Sequence, residues 1–192
     1  MIGLDLPGFA DPVTGAQATF RAVLDAMARP GRICEAGTDL APPAPLGRAA
    51  AAALLALVDH DTPLFIAADY ARAREWIAFH SGAPIVADLG DCAFAIARAM
   101  PDLSLIPVGS YAAPEQSATL ILDIASLCRG TRYRLSGPGL RSPTMFAADG
   151  LPERFIELWS DNRRQFPCGV DLILCADGAL AALPRSVIIE HG

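Results

Sequence analysis

An unbroken apolar run at residues 49–58, most of it alanine, ends abruptly on Asp59, His60 and Asp61. It has about half of the ~20 residues a helix needs to cross a bilayer. The run therefore reads as a buried helix, here residues 47–58, and not as a membrane span. A helix that is apolar all round has to be enclosed by other elements, so the periodicity on either side of it decides the fold.

Upstream, Phe20, Val23, Leu24 and Met27 fall at i, i+3, i+4 and i+7. That spacing predicts an amphipathic helix over 16–28 with the stripe inward, stopped by Arg29-Pro30-Gly31-Arg32. Residues 1–13, with Pro7, Gly8 and Pro12, read as an irregular arm. Downstream, 62–68 reads as a short buried strand. Residues 70–80 read as a helix bearing Trp76, Ile77 and Phe79, ended by Ser81-Gly82-Ala83-Pro84. Strand-like runs follow at 85–87, 93–97, 118–124 (the longest) and 133–135. Pro152 opens a helix to 163 as its first residue, and strands at 170–175 and 186–189 lie on either side of an Asp177-Gly178 turn. No repeat, low-complexity block or second composition regime interrupts this order. The expected fold class is α/β: a single domain over 1–192, a mixed β-sheet flanked by helices.

Charge and cysteine usage narrow the function classes. A chain of 192 residues can bury roughly two-thirds of its unfolded surface, and its mean hydropathy of +0.36 reports alanine, not membrane character. The opening residues Met1 to Asp5 lack the basic and long apolar regions of a secretory leader, so a cytoplasmic location is expected. A net charge of −6 argues against nucleic-acid binding. The five cysteines are odd in number with no pair at two-residue spacing, and the three histidines are scattered, so no metal site is expected. All 15 fixed cations are arginine. The missing lysine removes internal Schiff-base chemistry and the P-loop phosphate lysine, and leaves guanidinium forks suited to carboxylates and phosphates.

Seven residues form a candidate ligand-binding set. The Gly137-Pro138-Gly139 loop, preceded by Arg134 and followed by Arg141, can present amides and guanidinium groups to an anion, or it is simply the turn that ends a strand. Asp59 and Asp61 around His60 have acid–base capability, weighed against a turn-forming role before Thr62-Pro63. Glu115, after Pro114, sits at a cleft rim or caps a loop. No catalytic residue stands out: there is no Gly-x-Ser-x-Gly elbow, and Cys168, between Pro167 and Gly169, has no adjacent base.

The chain resembles the PhnH family, subunits of the bacterial carbon-phosphorus lyase system, along almost its whole length. The resemblance runs through Phe9-x-x-Pro12-Val13, Ala16-Gln17-x-x-Phe20-Arg21, Ala26-Met27-x-x-Pro30-Gly31, Asp59-His60-Asp61-Thr62-Pro63 and Phe79-His80-Ser81-Gly82-Ala83-Pro84. It continues through Ala113-Pro114-Glu115-Gln116-Ser117-Ala118-Thr119-Leu120, Leu135-Ser136-Gly137-Pro138-Gly139-Leu140, Phe166-Pro167-Cys168-Gly169-Val170-Asp171 and Leu183-Pro184-Arg185-Ser186. Phe65, Ser117 and Cys168 depart from residues common there: tryptophan, glycine and an aliphatic residue.

The resemblance implies a fold like the large domain of pyridoxal-phosphate-dependent transferases without the cofactor, and no cofactor of its own. It also implies a homodimer when alone and a core complex with PhnG, PhnI and PhnJ. In that complex ATP and phosphonate yield a ribose 1-phosphonate 5-triphosphate, and PhnJ then breaks the carbon–phosphorus bond. Two functions remain open at this point: an accessory subunit that is not catalytic alone, or a subunit with its own pocket for a phosphonate or nucleotide.

Overall fold

The computed structural model describes residues 6–192. Met1 to Asp5, and with them the start of the expected arm and the leader argument, lie outside the described residues.

Among the described residues, four helices, α1 (Pro12–Ala28), α2 (Arg48–Leu57), α3 (Arg74–Ser81) and α4 (Phe155–Arg164), surround two sheets. The strands of the larger sheet are β1 (Cys34–Glu35), β2 (Leu64–Ile66), β3 (Ile85–Val86), β4 (Phe94–Ala97), β5 (Thr119–Asp123), β8 (Asp171–Ala176) and β9 (Ala179–Leu183). The smaller sheet contains β6 (Ser126–Ser136), β7 (Thr144–Asp149) and β10 (Ile188–His191). The larger runs β1-β9-β8-β5-β4-β2-β3; the strands from β3 to β8 are parallel, and β9 and β1 add on in antiparallel fashion. The smaller is antiparallel, β10-β6-β7. A mixed sheet flanked by helices is thus what the sequence builds.

The period of two along the central strands sorts side chains into two cores. Ile96, Ile121, Ile173 and Cys175 point to the face covered by α1, α2 and α3. Ala95, Ala97, Leu120, Leu122, Leu172 and Leu174 point to the other, where α4 and the smaller sheet pack. Ala49 to Ala53 are fully buried, and their small size lets α2 lie close between the sheet and its neighbouring helices. On the opposite face the Trp159 indole donates to the Val187 carbonyl at 3.0 Å, and Tyr133 meets Phe155 edge-on. No helix among the described residues is long and apolar enough to cross a membrane.

Several boundaries differ from the sequence reading. α1 starts at Pro12, inside the expected arm, because the Asp11 carboxylate accepts from the Val13 and Thr14 amides at 3.1 and 3.2 Å and caps the first turn. Its stripe is not uniformly inward: Thr19, Val23 and Ala26 are buried, whereas Phe20 and Leu24 stand 51% and 57% exposed. α3 is shorter than expected, with Ala68–Tyr70 forming a separate 3-10 turn. α4 starts at Phe155, leaving Pro152 in the preceding turn, where its carbonyl accepts from the Phe155 amide. β6, not β5, is the longest strand, and β1, β7 and β9 were not foreseen at all.

Candidate functional site

The parallel strands β2, β4, β5 and β8 all begin along one edge of the larger sheet, and Arg185 ties the loops there together. Its Nη2 lies 2.6 Å from Asp171 Oδ2, its Nε is 3.2 Å from both carboxylate oxygens, and its Nη1 donates to the Pro114 carbonyl at 2.9 Å. The backbone amide of Arg185 adds a further bond to Asp171 Oδ1 at 2.7 Å. With side-chain exposures of 16% and 18%, the pair is shielded enough for the planar fork to hold one geometry. Three sequence segments singled out above, those around Pro114, Phe166-Pro167 and Pro184-Arg185, therefore meet at one guanidinium. Beside it lies a hollow of about 340 Å³ lined by Pro114, Glu115, Phe166, Pro167, Pro184 and Ser186. Its cation is already neutralised from within.

The seven candidate residues occupy three places. Asp59 and Asp61 lie in the loop between α2 and β2. Asp59 accepts from Thr62 Oγ1 at 2.7 Å and from the Asp61 amide at 3.0 Å, bonds that hold its carboxyl below the usual range. Asp61 is exposed, 3.3 Å from His60 Nε2. Glu115 sits on the 3-10 turn Pro114–Gln116, at the rim of the Arg185 hollow. Arg134, on β6, reaches across to Glu190 on β10 at 2.7 Å.

Gly137 and Gly139 take positive φ in the turn after β6, and a side chain on Gly139 would strike the Ala28 carbonyl and the Pro30 ring. That turn is thus seated against the end of α1, with Arg141 exposed just beyond it. A side chain on Gly137 would come within 3.4 Å of the Ser186 carbonyl, which puts the turn beside the Arg185 hollow. Among the described residues no hydrogen bond or ion pair joins the three places.

A second constellation, missed in the sequence reading, lies at the opposite edge. β2 hands the chain to β3 on one side, whereas β4 hands it to β5 on the other. Their carboxyl ends flank the reversal at which open α/β sheets form a crevice. Tyr70 follows β2, Arg98 follows β4, and Asp123 ends β5. Asp123 is 8% exposed, and its Oδ2 accepts from the Gly47 amide at 2.8 Å and the Tyr70 hydroxyl at 3.2 Å. Gly47 must be bare: a Cβ there would lie 2.7 Å from Asp123 Oδ1.

Burial pushes the Asp123 carboxyl up, against the two hydrogen bonds and the positive charge of Arg98. Burial and the facing carboxylate likewise push the Tyr70 hydroxyl up. Such a pair can hold a proton; here the carboxylate anchors the start of α2 to the end of β5. The available sequence signal was one carboxylate closing an apolar strand-length run. Near the first edge, the buried Ser117 hydroxyl has no hydrogen-bond partner among the described residues.

The sequence model of the family described as "Bacterial phosphonate metabolism protein (PhnH)" matches residues 7–190. The chain is similar to the alpha-D-ribose 1-methylphosphonate 5-triphosphate synthase subunit PhnH of Rhizobium meliloti (strain 1021), 41% identical over 188 residues, covering 95% of this chain and 94% of that protein. It is also similar to the putative C-P lyase subunit protein HtxG of Stutzerimonas stutzeri, 34% identical over 83 residues, 43% of each chain.

Proposed function

The chain belongs to the PhnH family of bacterial phosphonate metabolism proteins, and from that premise we propose that it is an accessory subunit of the machinery that couples phosphonate to ATP-derived ribose triphosphate. In this reading it acts in the cytoplasm as one PhnH-like domain over 1–192, self-associates when alone, and assembles with PhnG, PhnI and PhnJ. The observation that carries the proposal is the 41% identity across 95% of the chain to a protein named as a synthase subunit.

The side-chain chemistry supports it. Arg185 is spent on Asp171, Arg134 on Glu190 and Arg48 on Asp177, and Asp123 and Asp59 are engaged in holding loops and helix ends. These groups build a surface more than a reaction centre. The likeness to the large domain of pyridoxal-phosphate-dependent transferases belongs to the same reading, supported by a mostly parallel seven-stranded sheet with helices on its faces. That likeness is one of architecture, because the chain has no lysine to hold the cofactor.

Co-expression of the tagged chain with the three partner subunits tests the assembly. All four are expected to co-purify in fixed ratio, and recovery of the tagged chain alone would overturn the proposal. A second reading, an anion site at the glycine turn, draws on the exposed Arg141, which has no ion-pair partner among the described residues.

A further inference from the structure

The segment before α1, α1 itself and the turn after β1 enclose a hollow of about 220 Å³ that shares no residue with the Arg185 hollow. Two bare glycines shape it. A Cβ on Gly15 would strike the Phe9 ring, so the ring seats directly on α1 and forms one wall. Gly37 takes a φ of +68°, and a Cβ there would strike the Arg48 carbonyl; its turn carries Glu35 and Asp39 to the other wall. Asp39 also accepts from the Ala10 amide at 3.3 Å, which ties the two walls together. Thr19 of α1 lies at the floor.

The polar groups here are unspent. Thr19 is 2% exposed, and its hydroxyl makes no hydrogen bond among the described residues, an unfavourable state until something completes it. Among those residues the unpartnered side-chain oxygen sealed from solvent is that of Ser117, so the Thr19 hydroxyl keeps an opening, and the hollow it lines is where that opening leads. Glu35 and Asp39 have no ion-pair partner among the described residues.

We propose that this hollow binds a small organic cation, a primary ammonium on a short alkyl chain, its head between the Glu35 and Asp39 carboxylates and the Thr19 hydroxyl and its stem along the Phe9 ring. Two carboxylates and a hydroxyl match the three donors of an ammonium, and an aromatic face attracts the charge. The same carboxylates repel a phosphate, phosphonate or nucleotide, and the volume is below the roughly 300 Å³ at which pockets for drug-sized ligands begin. The chain contains no lysine, so no side chain of this protein, nor of a second copy, supplies such a head. The ammonium comes as a free amine or at the tip of another protein's lysine. A site of this kind stands whether or not the chain assembles with other subunits.

Butylammonium chloride titrated into the full chain at neutral pH, followed by two-dimensional amide NMR, tests the site. Saturable shifts centred on residues 9–19 and 35–39 are expected, with a dissociation constant in the millimolar range. Butyrate and butanol, of the same length without the positive charge, are expected to leave these residues unmoved. Glu35→Gln combined with Asp39→Asn is expected to weaken binding about tenfold, and Thr19→Val, of the same shape without the hydroxyl, about threefold, each with an unchanged circular dichroism spectrum. Glu153→Gln, exposed ahead of α4 on the other face of the sheet, is expected to bind as the parent does. Nα-acetyl-lysine amide separates the two sources: binding tighter than that of butylammonium marks a partner's lysine, weaker binding a free amine, and either supports the site. Absence of saturable shifts at these residues, equal shifts with butanol, or equal weakening by Glu153→Gln would overturn it.

Discussion

Asp123 is the residue at which stability and pH are most directly linked. Its buried carboxyl is pushed above the ordinary carboxylate range, chiefly by desolvation, so the folded chain binds a proton there more readily than the unfolded chain does. The contribution to stability is therefore full below the unfolded carboxylate range and is lost as pH rises through the raised folded value. Asp59, Asp102 and Asp177 are shifted the opposite way by hydrogen bonds at exposed turns, so their contribution is present above the unfolded carboxylate range and is lost only as pH falls below it. Denaturant titrations of the parent chain and of Asp123→Asn should show the parent gaining stability relative to the variant as pH falls from neutral towards about 4, the unfolded carboxylate range. A difference independent of pH would contradict a carboxyl held in this state.

Among the elements, those with a strong period were legible from sequence and those lying half in solvent were not. The alanine run could only be a buried helix, and α2 is one. The 118–124 run became β5, with Asp123 as its last residue. Only the end of β6, at 133–135, was legible, because six of its positions are exposed, three of them arginine, and because it breaks register between Ser126 and Thr131, where Gly130 takes a positive φ. β9 is mostly alanine, which carries little strand preference.

The candidate residues stand out for their chemistry, and the fold distributes them over three places, two loops and the end of β6 with the turn after it. The pair that ties the Pro114, Pro167 and Pro184 segments together, Arg185 and Asp171, reads in the sequence only as parts of longer segments. Arg185→Met leaves a shielded carboxylate unpaired and frees the Pro114 and Pro167 loops, at an expected cost of about 3 kcal/mol in urea denaturation. Arg185→Lys keeps the charge but not the fork and should fall between. A loss under about 0.5 kcal/mol, the level of an exposed pair, would show that the hub does not hold these loops.

At the scale of the whole molecule, the fold reads as a framework whose polar groups are turned on one another. Two cores grip a seven-stranded sheet from both faces, and charged side chains close loops. That distribution suits a protein that acts by positioning others, and it matches the subunit role that the 41% identical relative bears in its name. The most direct measurement is adenine release from ATP in the presence of methylphosphonate, assayed with the purified chain alone, with the three partner subunits lacking it, and with all four together. The expected result is release only from the full set; turnover by this chain alone, or undiminished turnover without it, would contradict an accessory role.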